Sequence, residues 1–288
     1  MDSDTKIAIL EQDLSKLKKE LLEREQDLRT YKGEVKRLNI AVSKILMGFD
    51  KDLSLARNIF SYLVPTQFPH ISGFHFSTKF TSGMRFNGDY LDVFEHRDRF
   101  KFNLIMSSSS GPTLTALLIA FLLKHGRDLG SGGAPLPNDF VGRVLAEIED
   151  KNEKSSDIQL ACFLIDKKTY ELSYEVHGSV FCFFQDGETQ KVSDFKDFSA
   201  GKDKIILKPY DRILMASMGL VSAQNSRGVV FSSTPILESM AAMPLTQSVH
   251  DLRNDIFHKL DQHLEGRRPL QDVSLIVMSV ENNIIKLV

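Results

Sequence analysis

The sequence predicts an α+β protein: a layered sandwich of two mainly antiparallel sheets flanked by helices and preceded by one long helix. Three observations predict it. The first fifty residues carry a heptad repeat, strand-like segments begin near His70, and those strands come in runs interrupted by helices. A parallel α/β sheet would instead alternate strand and helix one by one.

The helix comes first. With Ile7 as an a position, the a series is Ile7, Leu14, Leu21, Leu28, Val35, Val42 and Phe49. The d series is Leu10, Leu17, Arg24, Tyr31, Leu38, Ile45 and Asp52, so only Arg24 and Asp52 interrupt the seam. A sustained period of about 3.5 residues keeps one apolar stripe facing a partner helix. In a parallel dimer the g-to-e′ pairs Asp13–Lys18 and Asp27–Lys32 attract, against one repulsive pair, Glu20–Glu25. The expected state is a homodimer, with an antiparallel or intramolecular pairing as the alternative. Gly33 weakens the helix by about 1 kcal/mol without touching the seam. Pro65 and Pro69 stop the helix near Val64. The expected division is a coiled coil over 1–50, a linker helix over 51–69 and a globular domain over 70–288.

In that domain FHFSTKF alternates, with Phe74, Phe76 and Phe80 between polar residues. YLDVFEH and FKFNLIMS follow as strands joined by the charged turn HRDR. A helix opens after Gly111 and Pro112, a Gly/Pro loop follows, and FVGRVLAEIEDKN forms a second helix. Further strands are expected at IQLACFLID, YELSYEVHG, SVFCFFQD and DRILMASMG, then one helical stretch from Thr234 to Leu264 and a last strand, VSLIVMSVE.

Composition narrows the function. Hydrophobic residues are 42% and charged residues 26%, with a net charge of −2, so no basic field favours nucleic acid or anionic membrane. No apolar run reaches the roughly 20 residues that span a bilayer. The first ten residues lack a signal-peptide core, and Cys162 and Cys182 both sit among apolar residues, as buried thiols in a reducing compartment do. The expected location is the cytoplasm. GxGxxG, P-loop and CxxC patterns are absent.

Five segments in order carry a resemblance. They are LARNIFSYLVP at Leu55–Pro65, NGDYLDVF at Asn87–Phe94, SSSSGPTLTALLIA at Ser107–Ala120, SMGLVSA at Ser217–Ala223 and QDVSLIVM at Gln271–Met278. Together they resemble the SpoIIE/RsbU-like branch of the PPM serine/threonine phosphatases, whose counterparts read LAxxIQxxLLP, GGDxxDVF, DVSGHGxxAALLMA, TDGLxEA and DDxTLLVV. The resemblance implies the PPM α-β-β-α sandwich and a two-ion Mg²⁺/Mn²⁺ site built from four Asp residues and a Gly carbonyl. On this sequence Asp89 takes the first acidic position and Asp272 the last, with Asp92 as a further candidate ligand. Asp92 reads equally well as a plain hairpin residue. The remaining acidic positions fall on Ser107 and Met218, and the first two residues of GHG fall on Ser110 and Gly111. No acid occurs between Ser107 and Gly126, or between Ile213 and Gly228.

The chemistry of hard cations makes those departures disabling. Mg²⁺ and Mn²⁺ want carboxylate, carbonyl and water oxygens, and two dications about 4 Å apart need surrounding negative charge. Asp89 and Asp272 alone would hold a cation weakly at best, and the thioether of Met218 suits neither ion. Ser107 to Ser110 have no base beside them in sequence and read as a strand-to-helix turn. The helix behind them makes Ser110 and Gly111 candidates for weak anion or partner contact. The resemblance therefore implies a pseudophosphatase without a bound cofactor: a regulatory protein-binding module or scaffold. Its partner would be a STAS-type phosphoprotein or an active phosphatase relative. Two alternatives stand beside it. One is a metal-dependent protein phosphatase with a reduced Mg²⁺/Mn²⁺ site, and the other is a protein whose functional part is the coiled coil.

Overall fold

Strand pairing sets the architecture, and it follows from which segments are apolar on both faces and which on one. The computed structural model describes residues 3–63, 68–84, 88–96, 99–109, 137–149, 158–178, 180–198 and 205–282. The chain divides into two compact units, Met1–Leu55 and Ala56–Val288. The expected helix after Gly111 lies outside the described residues.

The first unit is helical throughout its described length, as part of α1 (Ser3–Leu63), which runs without a break across residue 50. Its seam residues Leu14, Leu17, Leu21, Leu28, Tyr31, Val35, Leu38, Val42 and Ile45 are each more than half exposed.

The described residues of the second unit hold ten strands in two antiparallel sheets. One sheet has the order β1 (Phe74–Thr81), β10 (Val273–Val280), β9 (Arg212–Ala216), β6 (Phe181–Gln185) and β7 (Val192–Asp194). The other has β2 (Tyr90–Glu95), β3 (Lys101–Ser109), β4 (Ile158–Asp166), β5 (Glu171–His177) and β8 (Ile205–Ile206). The short strands β7 and β8 were not expected from the sequence. Both are edge strands, too short to show a period. Beside them lie α2 (Pro137–Glu149), the single turn α3 (Met218–Val221), α4 (Thr234–Ala242) and α5 (Val249–Leu264).

Three apolar layers hold this unit together. Between the sheets, Phe74, Phe102, Leu104, Met106, Phe163, Met215 and Ile276 pack in one cluster. There the rings of Phe74 and Phe102 meet edge to face at 4.8 Å. On the outer face of the first sheet, Leu214, Leu275 and Val277 meet Ile236, Leu252, Ile256 and Leu260 of α4 and α5. On the outer face of the second, Tyr90, Ile105, Leu160 and Cys162 meet Phe140, Val141 and Val144 of α2. Helix, sheet, sheet and helix thus stack in four layers. β4 and β10 are covered on both faces, which is why their sequences run nearly continuously apolar.

The single helix expected over Thr234–Leu264 is two. Pro244 lacks an amide hydrogen and the chain turns over 243–248, after which Ser248 and Asp251 form a capping box that starts α5. Arg212 fixes this break from below. It is fully buried, and its guanidinium donates to the carbonyls of Met243, Pro244, Leu245 and Gln247. Burial holds its pKa below the usual arginine value. Arg212→Leu strands four carbonyls, and the expected loss is about 3 kcal/mol in urea unfolding. A change below about 0.5 kcal/mol would show that water satisfies those carbonyls instead.

Candidate functional site

Five side chains converge where four strands begin or end. Asp89 stands just before β2, Ser108 near the end of β3, Ser217 just after β9, Asp272 just before β10 and Ser274 within β10. The first two belong to one sheet and the last three to the other, and all five are buried.

Pairing register decides which side chains meet. Tyr90 lies opposite Ser107, so Asp89 and Ser108 share the face between the sheets. Ser108 Oγ donates to Asp89 Oδ1 at 2.6 Å. This corrects the assignment of the vacated acidic position to Ser107: that residue points with Tyr90 toward α2, and Ser108 is the β3 residue lying on Asp89. A one-residue slip moves a strand side chain to the opposite face, and the slip changes the residue without supplying an acid.

Asp92 is corrected in the same way. It lies three residues from Asp89, hence on the other face of β2, where it is buried and accepts a hydrogen bond from the Tyr90 hydroxyl at 3.1 Å. It takes no part in a site with Asp89 and Asp272. Met218 opens α3 half-buried beside Ser217, whose hydroxyl accepts the Ser274 amide at 3.0 Å. Ser110 and Gly111 lie outside the described residues.

Asp272 is held by backbone. Oδ1 accepts from Gly83 N at 2.8 Å and Oδ2 from Gly88 N at 3.0 Å. Gly88 adopts φ 73°, a conformation that favours glycine. Two other glycines let the chain come close: a Cβ on Gly219 would stand 1.9 Å from the Asp272 carbonyl oxygen, and one on Gly83 would stand 2.3 Å from the Gln271 carbonyl carbon. Gly83, Ser108, Ser217 and Ser274 were not singled out from sequence as site residues, though Ser217 and Ser274 sit inside the SMGLVSA and QDVSLIVM segments.

The environment of Asp89 is that of a carboxyl buried without a countercharge. Burial pushes its pKa up to about 7, while the hydroxyls of Ser108, Ser217 and Ser274 pull it down and the neighbouring Asp272 adds to the rise. Ser217 and Ser274 are near enough to act on the carboxyl, yet Asp89 Oδ2 and Ser274 Oγ each lack a hydrogen-bond partner of good geometry. A proton on Asp89 gives one of these two atoms a donor and the other an acceptor role.

A two-ion Mg²⁺/Mn²⁺ centre does not fit this donor set. Among the described residues no group of three or more His, Cys, Asp or Glu side chains is arranged to hold a metal. The positions around Asp89 are filled by three hydroxyls, and both Asp272 oxygens already accept backbone amides. Two dications need more carboxylate charge than one carboxylate and one readily protonated acid supply.

The pH dependence follows. Asp89 keeps its proton to about pH 7 when folded and loses it near 3.8 when unfolded, so its contribution to stability is full below pH 3.8 and fades as pH rises through 7. In chelating buffer, the wild type should lose about 2 kcal/mol more stability between pH 5.5 and pH 8 than Asp89→Asn does. Comparison with the variant removes the parallel contribution of Asp211, raised to about 6 chiefly by burial. Equal slopes in urea titrations of the two proteins would mean that Asp89 is ionised throughout.

No family model matches the chain, and no curated protein matches its sequence. Solved structures do match. The PP2C domain of SiaA from Pseudomonas aeruginosa aligns with a TM-score of 0.64 at 13% identity, over 82% of this chain and 98% of that one. The RsbU and RsbW domains of Rv1364c from Mycobacterium tuberculosis give 0.56 at 13%, over 76% of this chain and 63% of that one. RsbX in complex with magnesium gives 0.54 at 10%, over 75% and 99%. At such identities the likeness speaks for architecture alone, and it agrees with the sheet order and layers above: this chain has the fold of the PP2C phosphatase domains.

Proposed function

We propose that this chain is a phosphatase-fold protein without two-ion catalysis, acting as a regulatory protein-binding module or scaffold. The observation that carries the reading is the donor set at the strand ends, where Ser108, Ser217 and Ser274 surround Asp89. Hydroxyls are weak ligands for hard dications, and without such ions no activated hydroxide and no clamp on phosphoryl oxygens form. RsbX, with which the chain shares its fold, was solved with magnesium. Here the groups at the strand ends are two carboxyls and three hydroxyls. The partner class that suits this reading is a STAS-type phosphoprotein, or an active phosphatase of the same fold whose output the module would modulate.

One observation favours the alternative of a reduced, single-cation site: Asp89 Oδ2 is buried and has no hydrogen-bond partner. A cation is a group that such an oxygen takes. The purified full chain should therefore be assayed with Mn²⁺ and a phosphoserine peptide, beside Asp89→Ala. The expected result is no turnover above the variant. Robust Mn²⁺-dependent turnover abolished by Asp89→Ala overturns the reading and assigns a working metal site.

The exposed seam of α1 supports a second copy of the chain as partner through this helix. An exposed apolar stripe about 47 Å long, from Leu14 to Ile45, is poorly stabilised in water as a lone helix. Light scattering should give twice the chain mass of 32.6 kDa. Leu21→Lys with Leu28→Lys should halve it, and a wild-type monomer would remove the dimer from the proposal.

A further inference from the structure

The buried cluster leaves a question that absent catalysis does not answer: what joins the two sheets at the strand ends if no ions do. Polar groups inside a sandwich weaken it unless they satisfy each other. Here they come from both sides. Asp89 and Ser108 belong to one sheet, and Ser217, Asp272 and Ser274 to the other. The Asp272 carboxylate reaches Gly83, just beyond β1 in its own sheet, and Gly88, at the entry to β2 in the opposite sheet. The chain leaves one sheet and enters the other between these two glycines, so one carboxylate straps both ends of the crossing.

The geometry points to a metal-independent latch: Asp272, accepting the amides of Gly83 beyond its own sheet and of Gly88 at the entry to the other, joins the sheets in place of ions, with Ser108 seating Asp89 on one side and Ser217 bracing β10 on the other. This rests on the reading of the site as ion-free, and it adds a structural role for residues that otherwise look like remnants. One contact crosses between the sheets and two brace it from either side. Ser108 holds Asp89 at 2.6 Å, the Ser217 hydroxyl accepts the Ser274 amide at 3.0 Å, and Gly88 donates across the sheets to Asp272 at 3.0 Å. The close approach of Gly219 to the Asp272 carbonyl keeps α3 pressed against the same point.

The latch has a sign that distinguishes it from a vacant metal site. A vacant site is relieved by its ion, so added Mn²⁺ raises the melting temperature by mass action. In the latch both Asp272 oxygens and Asp89 Oδ1 already have donors, which leaves Asp89 Oδ2 as the one open carboxyl oxygen, too little to hold a hard dication. Ser108→Asp converts one into the other, because it sets a third carboxyl against Asp89 and recreates mutual repulsion that a cation relieves.

The test is thermal unfolding of the full chain in EDTA and in millimolar MnCl₂, for the wild type, Ser108→Ala and Ser108→Asp. The wild type should melt at the same temperature in both media, within about 2 °C. Ser108→Ala should melt lower by equal amounts in both. Ser108→Asp should melt lower in EDTA and recover in MnCl₂. A wild-type melting temperature raised by about 5 °C or more in MnCl₂ overturns the latch. So does a Ser108→Ala protein as stable as the wild type, which keeps the inference falsifiable should Ser108→Asp fail to fold. Failure here is separable from failure of the proposed function. An ion that stabilises without turnover removes the latch alone, while turnover from a protein whose melting ignores metal removes the functional reading alone.

Discussion

Two carboxyl groups buried between antiparallel sheets must be satisfied by something, and the means available decide what this protein can be. A carboxylate in a low-dielectric interior needs a cation, a set of donors, or a proton. Asp272 takes the second course, with Gly83 and Gly88 donating to its two oxygens. Asp89 takes a mixture of the second and third, with Ser108 bonded to one oxygen and its pKa raised to about 7. The glycines at 83, 88 and 219 follow from this, since the backbone must come within bonding distance of Asp272 from two directions. Gly83 and Gly88, at the two ends of the β1–β2 connection, are tied to that one side chain.

The apolar layers give that cluster its setting. The inter-sheet core of Phe74, Phe102, Phe163, Met215 and Ile276 fixes the sheet spacing, and the helices on the outer faces keep β4 and β10 buried on both sides. Cores of this kind are close-packed and barely compressible, so polar groups at the strand ends are held at whatever separation the core dictates. Arg212 shows the same rule on the opposite side of its sheet. A guanidinium with no described acid partner is accommodated because four loop carbonyls turn toward it. In both places buried charge is met by backbone polarity.

Much of this was legible in the sequence, for reasons that differ from element to element. VSLIVMSV and IQLACFLID could hardly be other than strands, because an eight- or nine-residue apolar run bounded by polar residues suits a strand covered on both faces. The break at Pro244 was legible in principle, since a proline there costs the helix a hydrogen bond, yet the apolar pattern continues through it. Asp92 carried its own correction: three residues from Asp89, it had to point the other way once both sat at a strand. Ser107 against Ser108 could not be settled from sequence, because either serine satisfies the composition and only the pairing with β2 selects the face. Ser217 and Ser274 were the least legible. They are separated by 57 residues and become a site only when β9 and β10 pair.

The same electrostatics bears on how a partner could be recognised. A phosphoryl group carries nearly two negative charges, and the buried cluster of Asp89, Asp272 and neutral hydroxyls offers it no positive charge. Hydroxyls and amides can donate to a phosphate, but the Asp272 carboxylate already occupies the amides of Gly83 and Gly88, and its charge opposes a second anion beside it. Whatever binds this domain is therefore poorly served by placing a phosphate at the strand ends. On the reading proposed above, recognition would rest on the surrounding surface, and engaging two domains at once would strengthen it. The proposed pairing of two copies through the long helix would meet that need, because linking two weak sites raises their joint affinity without a new contact at either.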